Sequence, residues 1–185
     1  GCTVIVFDEP ALTAAEVRGA APGTRDLDLL QSGRTVQRAD AILLTGGSAF
    51  GLRAADGVMT VLATMGRGFP TPAIPVPIVP AAVIFDLANV QPEIPSMDDG
   101  ALALRTATPL SQVETGQVGV GTGARWGNIT GTPQDGGFYL AQIAVADGSV
   151  TAAVVVNAMG VINPEIDPRG FAIDAMTDPG FGHNT

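Results

Sequence analysis

The sequence predicts one domain of mixed α and β structure, built in layers. Three observations point there. Hydrophobic residues make up 46% of the 185 residues against 15% charged, which suits a single sizeable core. β-Branched apolar runs recur at both ends, "CTVIVF" at the start and "AAVVV" at residues 152–156. Between them, "SAFGLRAADGVMTVLATMG" carries the one strong helical periodicity.

Taken in order, "CTVIVF" is a strand, and the Ala-rich "ALTAAEV" fits either a second strand or a short helix. "GAAPGTRDLDLLQSG" is turn-rich and then briefly apolar, and "ADAILLTGG" is a buried strand running into a glycine turn. Phe50, Ala54, Val58, Val61 and Leu62 share one helical face, and Gly66 closes that helix. The proline-dense "FPTPAIPVPIVP" forbids a helix and withholds ladder donors, so it is extended edge or loop before the strand-like "AAVIFDL". "DDGALALRTATP" suits a second helix, while "QVGVGTGARWGNITGTPQDGG" is glycine-rich and nearly aperiodic. "FYLAQIAVADGSVTAAVVVNAMGV" reads as a hairpin turning at Asp147-Gly148. Two Asp-Pro steps and several glycines make the tail after Pro164 a loop. No repeat or linker divides residues 1–185.

Composition also excludes functions. The net charge is −9 and every basic residue is Arg, which disfavours nucleic acid as a partner. Without Lys this chain holds no Walker loop, Schiff-base lysine or Ser-Lys dyad. One cysteine, Cys2, and one histidine, His183, allow no internal disulfide and no Cys- or His-rich metal cluster. Cys2 is expected to be a small buried hydrophobe. No apolar run is long enough to span a membrane, and no signal peptide is legible. The opening directly on a strand is expected to mean a missing native N-terminus; a cytoplasmic location is the expectation.

Three stretches could carry chemistry. Gly46-Gly47-Ser48 lie between a strand and a helix, where backbone N–H groups and a helix dipole can face an anion. The same residues fit a simple turn with Ser48 as N-cap, the reading favoured on these residues alone. "VGVGTGARWG" lacks a following helix and a Lys, so close backbone packing or a pocket wall suits it better than phosphate. Asn157 is the uncharged polar residue inside "AAVVVNAMGV". It either closes a strand end or aims its amide into a pocket as an oxyanion donor. The scattered acidic residues read as solvated surface.

Together "CTVIVF", "ADAILLTGGSAFGLRAADGVM", "VPIVPAAVIFDL", "VGVGTGARWG" and "AAVVVNAMGV" resemble, in this order, the self-cleaving hydrolases of the DmpA type. These include D-stereospecific aminopeptidases, beta-peptidyl aminopeptidases and nylon-oligomer hydrolases. The likeness runs from Gly1 to about Pro164 and resumes at "HNT". It implies an α+β fold, a layered αββα sandwich of the N-terminal-nucleophile type shared with ornithine acetyltransferases. It implies that the precursor cuts itself between Asn184 and Thr185, and that Thr185 then attacks with its hydroxyl, its own α-amine acting as base. Residues 1–185 would be the first part of such a precursor plus one residue, with a second part following. An uncleaved precursor, a boundary of convenience or a cut one residue later each explain the extra Thr185.

Carried over by position, Asn157 matches the asparagine of the oxyanion hole. Phe85 stands where several members have Tyr, so any hydroxyl role is lost there. Asn128 stands where many have Lys, removing a positive charge near the nucleophile. Slower processing or altered substrate choice is the expectation. Gly46, Gly47 and Ser48 would support the pocket. No cofactor or metal is implied. Expected partners are the protein's own second part, further αβ units (commonly four) and a short peptide or amide oligomer. Acyl transfer to ornithine and a non-catalytic assembly role are the rival readings.

Overall fold

The computed structural model of the chain describes residues 1–88 and 91–162. His183 and the Asn184-Thr185 junction lie outside the described residues. Strands β1 (Cys2–Leu12), β2 (Thr24–Arg25), β3 (Arg38–Thr45) and β4 (Ala81–Val83) make a four-stranded sheet ordered β1-β3-β4-β2. β1 runs antiparallel to β3 with Cys2 opposite Thr45, and the register shifts between Val6 and Ala11. β3 and β4 are parallel, and such a pair needs a crossover. Helix α1 (Ala54–Thr64) and the extended proline segment supply it. Helix α2 (Met97–Arg105) packs on α1.

The mixed α and β expectation is met, with three local differences. "ALTAAEV" divides, since Ala11 and Leu12 extend β1 by pairing with Ala39 and Arg38, and residues 13–17 form no regular element. The helix expected from Ser48 starts as a 3-10 turn, Ser48–Arg53, and becomes α only at Ala54. A 3-10 turn advances three residues per turn rather than 3.6, so Phe50 falls out of phase with the apolar face and stands 64% exposed. The hairpin of β7 (Gly137–Val145) and β8 (Gly148–Val156) pairs Val145 with Gly148, which makes Ala146-Asp147 the turn. The glycine-rich stretch folds into 3-10 turns at Gly119–Gly123 and Asn128–Thr130 around a short ladder of β5 (Arg125–Trp126) and β6 (Gln134–Asp135).

The core lies between the sheet and the helices. Ala41 and Leu43 of β3 and Val79 and Ala81 around β4 meet Ala54, Ala55, Val58, Val61 and Leu62 of α1. Cys2, Val4 and Val6, alternate residues of β1, close one side. Burial pushes the Cys2 thiol above its ordinary value, in keeping with a packing role. The two helices approach through glycine. A Cβ on Gly57 would overlap the Met97 carbonyl, and one on Gly100 would overlap that of Ala54. Helix α2 opens on a capping box in which Ser96 and Asp99 exchange hydrogen bonds. The Ser96 N–H, then its hydroxyl, hold the Asp99 carboxyl below its ordinary value.

Residues far apart in sequence meet at the start of β1. The Gly46 N–H donates to the Gly1 carbonyl at 2.9 Å, and the Val120 N–H donates to Thr3 Oγ1 at 3.1 Å. A groove of ≈ 770 Å³ runs between the other side of β1, the end of α2 and the hairpin, walled by Ile5, Phe7, Leu110, Phe138 and Leu140. Among the described residues, two carboxylates depart from the solvated-surface expectation. Asp40 is 2% and Asp86 7% exposed, each accepting a backbone N–H from another segment.

Candidate active site

The sheet delivers two of the predicted stretches to one place. β3 ends at Thr45 and β4 at Val83, and because the strands are parallel both chains leave the same edge. The ladder continues briefly, as the Ile84 N–H donates to the Thr45 carbonyl at 2.9 Å and the Ser48 N–H to the Ile84 carbonyl at 3.0 Å. Gly47 and Ser48 both adopt positive φ, 81° and 54°, the left-handed region that turns the chain sharply into α1. This turn gives its N–H groups to the protein itself. Gly46 bonds the Gly1 carbonyl, Gly47 the Asp86 carboxylate at 2.7 Å, and Ser48 the Ile84 carbonyl. The Ser48 side chain makes no cap hydrogen bond, since the N-cap position belongs to Gly47.

Asn157 follows the last residue of β8 and has partners for both ends of its amide. Its Oδ1 accepts the Arg125 N–H at 3.0 Å, and its Nδ2 donates to the Phe85 carbonyl at 3.2 Å. Those partners fix which end is oxygen, because an N–H needs an acceptor and a carbonyl needs a donor. The strand-closing role is thus real, and among the described residues the second hydrogen of Nδ2 meets no acceptor. Asn128 donates from Nδ2 to the Arg125 and Ala158 carbonyls, both at 3.3 Å, and so ties the turn after Trp126 to the end of the hairpin. The Phe85 ring is 64% exposed.

Hydrogen bonds therefore join Gly46, Gly47, Ser48, Phe85, Asn128 and Asn157 into one continuous patch drawn from four segments. Asp86 is the residue of this patch that sequence reasoning missed. Its signal was present, an acid following the apolar "AAVIF", but the scatter of acids elsewhere hid it. None of these residues lines the groove beside β1.

Comparison with known proteins decides the family: the model of peptidase family S58 matches residues 1–175. The chain belongs to peptidase family S58. The DmpA-type resemblance is thereby borne out. An S58 chain is also expected to have aminopeptidase relatives, and it does. An uncharacterized aminopeptidase of Mycobacterium leprae is 40% identical over 186 residues, covering 96% of this chain and 49% of the relative. Uncharacterized aminopeptidases of Mycobacterium bovis and Mycobacterium tuberculosis are each 43% identical over 170 residues, covering 89% of this chain and 46% of the relative. The chain spans about half the length of these curated relatives. No helix among the described residues is long and apolar enough to cross a membrane.

Proposed function

We propose that the chain is the first part of a self-cleaving amide hydrolase, an aminopeptidase or amide-oligomer hydrolase that works through a covalent acyl-enzyme. The observation that carries this reading is the Asn157 amide, oriented at both ends within an S58 chain, with one N–H that meets no acceptor among the described residues. In the proposed mechanism the peptide bond between Asn184 and Thr185 breaks first, freeing the Thr185 α-amine. That amine takes the proton of Thr185 Oγ as the oxygen attacks the substrate carbonyl. The developing oxyanion accepts from Asn157 Nδ2, a contact of the kind worth about 100- to 1000-fold in rate. Collapse expels the amine leaving group with a proton, and water then releases the acid and restores Thr185. Substrates would be short peptides with free amino ends, or amide oligomers such as nylon fragments. A cationic amino terminus is favoured mildly by the net charge of −9.

The same reading includes the architecture and partners. Residues 1–185 would form one domain with the second part of the precursor, which would complete an αββα sandwich whose units assemble further, as four. The relatives, twice as long, support a second part. The test is the intact mass of the full-length protein with N-terminal sequencing of any second chain. A fragment beginning at Thr185, abolished by Thr185→Ala, is the expected result. A single uncut chain, or a second chain starting elsewhere, would remove Thr185 from the mechanism.

A further inference from the structure

Beyond the last ladder bond of β4, the segment carrying Phe85 has no sheet partner among the described residues, and its aromatic ring is exposed. Yet the Phe85 carbonyl is what Asn157 Nδ2 donates to. Something must fix the rotation of that peptide unit, which joins the Phe85 carbonyl to the Asp86 nitrogen. The Asp86 side chain is built to do it. Its Oδ1 accepts the Gly47 N–H at 2.7 Å, a charge-assisted bond in a buried setting. Its other oxygen lies where two glycines, Gly46 and Gly123, leave room for it, and a Cβ on either would overlap the carboxylate. Both glycines come from different segments than Asp86, so the acid is gripped by the turn after β3 on one side and by the 119–123 turn on the other.

We propose that Asp86 is a positioning residue for Asn157, holding the Phe85 carbonyl at the place that aims the Asn157 amide. This rests on the reading of Asn157 as the oxyanion donor, and it adds a residue that acts through Asn157. The alternative for a buried acid here is a purely structural clamp, which would lower stability without favouring one catalytic step.

The test is a double-mutant cycle on the mature full-length enzyme, with Asp86→Ala, Asn157→Ala and the pair, assayed on an amino-acid p-nitroanilide. Asp86→Ala is expected to lower kcat about tenfold or more with KM little changed, and to add nothing once Asn157 is already Ala. Crystals of Asp86→Ala should show the Asn157 Nδ2 to Phe85 carbonyl distance, now 3.2 Å, opened beyond hydrogen-bond reach. Equal losses in both backgrounds, or an unmoved Asn157, overturn the proposal. Where Asp86→Ala fails to fold, Asp86→Leu keeps about the size but offers Gly47 no acceptor, and the same cycle is read on it. An active enzyme indifferent to Asn157→Ala would instead sink the oxyanion reading, and the positioning role with it.

Discussion

The Asn128 amide donates to two backbone carbonyls, those of Arg125 and Ala158. A Lys there could still donate to both while placing an ammonium beside the patch. Asn128→Lys is therefore expected to speed appearance of the cleaved chains, followed by mass over time; an unchanged rate would count against a charge deficit at this position. Residue chemistry of this kind was half legible beforehand. Asn157 announced itself as a lone amide in an apolar run, because an unpartnered buried amide is too costly to be casual. Asp86 did not, because burial of an acid depends on donors brought from 39 residues away, and no local pattern records them.

Elements were easier to read than their junctions. β1, β3, the body of α1 and the β7–β8 hairpin follow from apolar period and turn residues. The 3-10 start of α1 and the one-residue shift of the hairpin turn were hidden, since both depend on how the chain enters an element rather than on its period. The approach of α1 to α2 was hidden too, although its agents are two ordinary-looking glycines. Gly57→Ala raises helix propensity by up to about 1 kcal/mol. The overlap with the Met97 carbonyl should outweigh that gain, for a net loss of about 2 kcal/mol or more. In thermal unfolding this corresponds to a fall of at least about 4 °C. A stabilised Gly57→Ala protein would mean that the helices can part without penalty.

At the scale of the molecule, the sheet and helices satisfy one another while the hairpin does not. Ile143, Val145, Val150 and Val154 are about half exposed or more around a two-stranded ladder, and such a ladder is marginal by itself. Residues 1–185 produced alone are therefore expected to self-associate as concentration rises in sedimentation velocity, and to form a defined complex when co-produced with the proposed second part. A well-behaved monomer would show that the hairpin needs no cover.

The bond from Val120 to Thr3 has a consequence in time. Its two ends are 117 residues apart, so at about 5–20 residues per second the strand containing Thr3 leaves the ribosome roughly ten seconds before its partner exists. Through that interval β1 can pair with β3 but cannot be sealed at its Thr3 end. β1 is thus made well before it is finished, and a chaperone that lingers on it would be matched to the delay built into the chain.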